Sequence, residues 1–353
     1  MYQSIRPGKP WLDTEGKRIQ AHGGSLFYED DTFYWYGENK EKTNGKSDVW
    51  HMGVRMYESK DLYNWKDLGI VIPPEEDISS SLHPSSMADR PHIIRNRKTG
   101  KYVCWIKIMH SDGSQNMTIL EADDLKGPYK KVREGCHPLG MNSGDFDLAV
   151  ADDGKAYCYF ERVHSETICC DLSDDYEGVS GYYSTHFPRK YPPYVREATA
   201  HFIRDHKHYL ITSGTTGYLP NPSEAAVADS WHGPYKVLGD PHINDLSMTS
   251  FHSQISSVFR HPKKKDLYIA LADRWLPQEM DLDYRIYAKV YEYLFTGRYS
   301  ELESIVDKEI LNRILFDGRR NTSIADYVWL PIGFKDDKIY IEWKDEWRIE
   351  DYE

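Results

Sequence analysis

The chain has 353 residues and a formal net charge of −12. That acidity argues against a nucleic-acid partner, because phosphate binding needs a basic face. It contains no run of about eighteen apolar residues, which excludes a membrane-spanning helix and leaves no membrane partner to expect.

The first predicted element is a hairpin, Ser25–Tyr28 returning through Phe33–Tyr36. A second joins Pro91–Ile94 to Tyr102–Ile106, and a third joins Leu148–Val150 to Ala156–Phe160 across Asp152-Asp153-Gly154. The latter turn holds acids but is too short for a calcium loop. The fourth follows Glu197 and pairs His201 onward with Tyr209–Thr212, and the fifth runs Ser257–Phe259 to Leu267–Ala270. A sixth, shorter hairpin spans Ile332–Ile341. Polar turn residues between β-prone runs carry each reading.

A strand-loop-strand motif follows each of the first five hairpins, at Tyr57–Trp65, Glu121–Tyr129, Asp171–Tyr176, Ala228–Tyr235 and Tyr293–Tyr299. One hairpin plus one such motif makes about four strands per repeat, the content of a propeller blade. The expectation is an all-β chain, a five-bladed β-propeller forming a single domain over residues 1–353. The sixth hairpin is expected to close the ring against the first blade, since closure removes exposed sheet edges. Glu301–Leu315 is the one stretch with a helical pattern, and a polar connection reads equally well there. Ile78–Ser86 is a serine-rich loop.

The aromatic share is high, with 27 Tyr and 10 Trp. Such side chains suit pleated sheets, and they also stack on the C–H faces of sugars. Trp35, Trp105 and Trp343 read as core between blades, whereas Trp275 and Trp329 sit at strand ends as candidate sugar platforms. The five cysteines do not read as a disulfide framework. With no signal-peptide core at the first residues, the expected location is cytoplasmic, or secreted if the chain was trimmed.

A polar residue stands about four positions ahead of the first apolar residue of each hairpin: His22, Asp89, Asp145, Glu197 and Gln254. A propeller turns equivalent positions toward one mouth of its central channel, so these five are expected to converge. Two carboxylates across a sugar, one with a raised pKa, are what glycosidic hydrolysis needs. Asp147 competes with Asp145, being on the same face of the strand two residues on. His22 reads either as a satisfied polar residue at a strand entrance or as a sugar contact.

The stretches Ala21–Gly24, Tyr36–Lys40, Asp89-Arg90-Pro91, Ser143-Gly144-Asp145, Arg196-Glu197-Ala198, Thr212–Gly217, Ser253-Gln254, Ala272–Trp275 and Tyr327–Pro331 follow one another in order through nearly the whole chain. Together they resemble glycoside hydrolase family 43, in its exo-β-1,3-galactanase branch. The resemblance implies a five-bladed propeller and an inverting, exo-acting hydrolase that releases galactose from β-1,3-linked chains, with an oligosaccharide as its partner. It implies Glu197 as general acid, Asp145 as the residue that tunes it, and Gln254 in the place of the missing base, orienting water or relaying a proton. Glu38 and Asp89 would contact the sugar, with His22, Thr216, Trp275 and Trp329 completing the candidate substrate-binding set. No cofactor is required. His252 is a candidate ligand for a structural ion in the central channel, as in some members of the family.

Departures are present. The branch usually has Glu-Arg-Pro and Ser-Arg-Asp where this chain has Asp89-Arg90-Pro91 and Ser143-Gly144-Asp145. The aromatic usual after the second hairpin is not evident at Ser111–Ser114. Other sugars in the terminal site (arabinofuranose, xylose, galactofuranose) and a catalytically silent carbohydrate-binding propeller are the alternative readings.

Overall fold

The computed structural model describes residues 1–315 and 320–353. Its strands form five sheets arranged as the blades of a propeller. Blade one holds β1 (His22–Glu29), β2 (Thr32–Glu38), β3 (Val54–Ser59) and β4 (Lys66–Ile72). Blade two holds β5 (Met87–Arg95), β6 (Tyr102–Met109), β7 (Gln115–Ala122) and β8 (Lys130–Cys136). Blade three holds β9 (Ser143–Val150), β10 (Ala156–Arg162), β11 (Glu166–Leu172) and β12 (Val179–His186). Blade four holds β13 (Arg196–Arg204), β14 (Lys207–Gly214), β15 (Glu224–Ala228) and β16 (Lys236–Gly239). In each of these the strands pair antiparallel in chain order, as short polar turns between β-prone runs dictate.

The fifth blade is assembled differently from the sequence-based expectation. Its sheet runs β17 (His242–Ile243), β22 (Lys338–Glu342), β21 (Leu330–Lys335), β19 (Tyr268–Arg274) and β18 (Gln254–Arg260), with β20 (Asp326–Tyr327) on β19. The sixth hairpin therefore completes blade five instead of adding to blade one. The expected fifth motif at Tyr293–Tyr299 is not a strand pair. Its first residues end a helix, α1 (Tyr284–Phe295), which is followed by α2 (Lys308–Ile314). The single helix expected over Glu301–Leu315 is thus corrected to α2, preceded by a 3-10 turn over Tyr299–Ser304. The tyrosine-rich run of α1 looks β-prone. A cap decides the matter: Asp283 accepts the Arg285 N–H, and Tyr287, Val290 and Tyr293 bury one face.

Apolar clusters fill the seams between blades. The seam between blades five and one is tryptophan-rich: Trp35 and Trp329 lie with ring centres 4.4 Å apart, and Trp11 packs on both. The ends of the chain ride on this seam, where Ile5 and Trp347 exchange backbone hydrogen bonds of 2.9 and 3.0 Å. A salt bridge from Arg18 to Asp326 (2.6 Å) and a Tyr63–Glu350 hydrogen bond add to the closure. Trp105 is buried in the seam of blades two and three, as expected, while Trp343 is only partly buried at the edge of the cluster joining blades four and five.

Candidate active site

The first strand of every blade carries a register irregularity near its start, which re-aims the residues at the mouth of the channel. In blades one, two and four the backbone turns left-handed there, at Gly23 (φ 61°), Arg90 (φ 53°) and Ala198 (φ 50°). Two of these are not glycine, and strain of this kind persists only where the surroundings hold it. Gly23 is required on a second ground. A Cβ at that position would collide with a Glu38 carboxylate oxygen.

These bulges open onto a cavity of about 490 Å³ whose lining includes Glu38, Asp89, Asp145, Glu197, Gln254 and Trp275. Six of the nine residues expected at the site are thereby brought together. Among the acids, Asp145 accepts from Arg90 Nε (2.7 Å) and Lys107 Nζ (2.7 Å). Burial would push Asp145 up, but these two cations outweigh it and hold it below the usual carboxylate range. Asp89 is held at about 2 for the same reason: burial is overcome by Lys107 (3.4 Å) and Lys40 (3.6 Å), helped by a 2.6 Å hydrogen bond from Trp50. Glu38 accepts from the Arg90 backbone N–H (2.8 Å) and pairs with Lys40 (2.7 Å). Burial wins here, and the Asp89 charge adds to it, so Glu38 is raised to about 7 despite the lysine.

Glu197 stands apart from this paired set. Burial, then the charges of Asp145 and Glu161, push it well above the carboxylate range, and Lys107 and Arg90 recover only part of that. It therefore holds its proton at a pH where Asp145 has lost its own. Its hydrogen-bond partner is the Gln254 amide N–H₂, at 3.5 Å, which also donates to Ser213 (2.9 Å). The Gln254 carbonyl oxygen accepts from Arg90 (2.8 Å) and Trp275 Nε1 (3.2 Å). With two donors on its oxygen, the amide is fixed in orientation and its oxygen is not a free acceptor.

Three expected residues are placed elsewhere. Trp329 is buried in the tryptophan seam and is core, not platform, because Trp11 and Trp35 cover its ring. Thr216 is buried and faces its own turn, donating to the Leu219 carbonyl and accepting from Asn221; its neighbours Thr215 and Gly217 reach the cavity instead. His22 is fully buried beneath the cavity, bonded to Asp273 (2.9 Å) and stacked on Tyr327 at 4.7 Å, so of the two readings it takes that of the satisfied polar residue. Asp147, the alternative to Asp145, lies under the site, accepting from the His201 backbone N–H (2.6 Å) with His92 Nδ1 at 3.1 Å. Burial raises it to about 7. The His252 backbone carbonyl accepts from Arg274 Nε (3.3 Å). Among the described residues no group of three or more His, Cys, Asp or Glu is arranged to hold an ion.

Several lining residues have no role on sequence grounds: Trp50, Arg90, Lys107, Glu161 and Tyr218. Lys107 and Glu161 do carry a signal. Each is a single charge in an apolar strand run, Val103–Ile108 and Tyr157–Glu161, and such a charge requires a partner or a cleft. Glu161 is buried, accepts the His164 N–H (2.7 Å) and occupies the space that a Cβ at Gly144 would need. Helix α1 and the end of α2 wall one side of the cavity with Tyr291, Phe295 and Ile314, a contribution that a strand reading of that stretch hides.

The sequence model described as Glycosyl hydrolases family 43 matches residues 20–274. A solved family 43 β-1,3-galactosidase is 26% identical, with a TM-score of 0.79; the match covers all of this chain and 65% of that one, so the chain spans less than two thirds of its length. A second β-1,3-galactosidase of the family, solved with galactodeoxynojirimycin, is 26% identical with a TM-score of 0.77, covering 98% of this chain and 100% of its own. An exo-β-1,3-galactanase from Phanerochaete chrysosporium shares the fold at 23% identity and a TM-score of 0.78, covering 99% of this chain and 68% of its own. No curated protein sequence matches the chain significantly.

Proposed function

The chain belongs to glycosyl hydrolases family 43, and on that premise we propose that it is an exo-acting, inverting enzyme that releases galactose from β-1,3-linked galacto-oligosaccharides or galactan side chains. The observation that carries the reading is the contrast between two carboxyls of the cavity, half-buried Glu197 pushed toward its protonated form and buried Asp145 kept ionised by Arg90 and Lys107. Glu197 donates its proton to the leaving oxygen as the C–O bond breaks. Asp145 maintains the Glu197 pKa. Gln254, its oxygen already engaged, offers its N–H₂ to Glu197 and helps to orient the proton donor.

The floor of the cavity supports a neutral sugar. Lys40, Arg90 and Lys107 are each already engaged by a carboxyl among Glu38, Asp89 and Asp145, which does not favour a uronate. Glu38 and Asp89 offer acceptors to hydroxyls, and Trp275 offers a ring face. Helices α1 and α2 wall one side, which supports entry by a chain end. The galactose and the β-1,3 linkage come from the solved relatives, described as β-1,3-galactosidases and an exo-β-1,3-galactanase. No cofactor is needed for this chemistry.

The test is a panel of β-1,3-galactobiose and aryl β-galactoside, α-arabinofuranoside, β-xyloside and galactofuranoside, with the anomeric configuration of the first product read by NMR. Release of β-linked galactose as the α-anomer is expected. Cleavage of pentosides with galactobiose untouched refutes the sugar assignment. Binding without turnover of any substrate refutes the enzyme.

A further inference from the structure

The cavity changes character between its floor and its mouth. Met87 and Met109 oppose each other directly across β5 and β6. Each lies two residues beyond a floor residue on the same strand face, Asp89 and Lys107 respectively, which sets them roughly 7 Å further out. Helix α1, the end of α2 and the residue after it contribute Tyr291, Phe295, Ile314 and Leu315 to the same lining. Phe295 and Leu315 keep 44% and 36% of their surface exposed and adjoin Ile314, Met87 and Met109 in one lining. Phe295 also packs edge-on against His164 (5.0 Å), whose N–H holds Glu161, the carboxylate whose charge helps to raise Glu197. The apolar rim therefore begins beside the proton donor, where the leaving group must sit. The polar groups of the lining near this rim are Gln115, Glu161, His164, Thr215 and the Tyr291 hydroxyl, which lies toward Glu197.

A hydroxyl-rich leaving group would surrender water here and find few partners in return. We propose that the outer half of the cavity is a leaving-group subsite for an aglycone with an apolar body, so that β-galactosides of phenols and aliphatic alcohols are substrates alongside oligosaccharides. The inference rests on the galactose reading above. The reaction stays a hydrolysis. Water bonds to the anomeric carbon, the glycosidic C–O pair leaves with the alcohol oxygen, and that oxygen takes the Glu197 proton. The proton lost by water restores Glu197 through solvent.

Calorimetric titration with hydrolysis-resistant methyl, propyl and hexyl thio-β-galactosides tests the subsite on the intact chain. Affinity is expected to rise about two- to fourfold per added methylene, and Phe295→Ser and Leu315→Ser are each expected to reduce the hexyl-to-methyl ratio. Equal affinity for methyl and hexyl thiogalactosides overturns the subsite and leaves the galactose reading standing. A rising series whose ratio neither substitution changes places the chain elsewhere and also overturns it. Failure of all three ligands to bind overturns the galactose reading and takes the subsite with it.

Discussion

Glu197→Gln removes one proton and little else. The two side chains have nearly the same shape, and burial and the charges of Asp145 and Glu161 raise Glu197 well above the usual carboxylate range, toward its neutral form. The substitution therefore buries no new charge and strands no ion pair. A general acid contributes about 10²–10⁴ in rate, or about 2.7–5.4 kcal/mol. The neighbouring cations Lys107 and Arg90 are engaged by Asp145. Turnover of β-1,3-galactobiose is thus expected to fall about 10³-fold, while 2,4-dinitrophenyl β-galactoside, whose leaving group needs no proton, falls less than about tenfold. Stability supplies an independent check with a definite sign. Between the unfolded and folded pKa values of Glu197 the native state binds more protons than the unfolded chain, so native stability declines as pH rises through that window. Glutamine has no such slope. Melting temperature measured from about pH 5 to about pH 8 is then expected to move in favour of the variant. Equal losses on both substrates, with the anomeric configuration retained in the product, would refute Glu197 as the acid of an inverting site.

Asp145→Asn removes the negative neighbour of Glu197 and frees two cations beside it, so the alkaline limb of the kcat profile is expected at lower pH; an unmoved limb counts against the tuning role. The same variant strips the buried Arg90 of its carboxylate and should cost about 3 kcal/mol in chemical denaturation. Gln254→Leu releases Arg90, Trp275 and Glu197 together, and kcat/KM is expected to drop by the same factor on galactobiose and on the dinitrophenyl galactoside; a loss confined to one of them contradicts positioning of a shared step. Trp329→Ala should lower stability by about 3–5 kcal/mol, and the folded fraction should keep its KM for galactobiose, whereas a raised KM would restore Trp329 as a sugar platform.

The order of hairpins and turns was enough to determine a five-bladed ring, because strand period, turn chemistry and repeat spacing are local properties written along the chain. The same radial logic picked out Asp89, Asp145, Glu197 and Gln254, each ahead of an inner strand. Local pattern failed where the partner was remote. Blade five draws its outer strands from beyond an insertion, and the tyrosines of α1 read as strand until the Asp283 cap and the apolar face beneath it are seen. Trp329 and Trp275 carry the same side chain at comparable strand ends, yet one is covered by Trp11 and Trp35 and the other faces the cavity. His22 and Gln254 were equivalent as polar residues at strand entrances, but Asp273 and Tyr327 claim the first. Charge state followed the same rule: Asp145 and Glu197 are both carboxyls desolvated in the cavity, and the placement of Arg90 and Lys107, drawn from another blade and bonded to Asp145, lowers one while the other stays raised. Desolvation acts on every buried acid alike, whereas its compensation depends on distances of a few ångströms that only the closed ring sets.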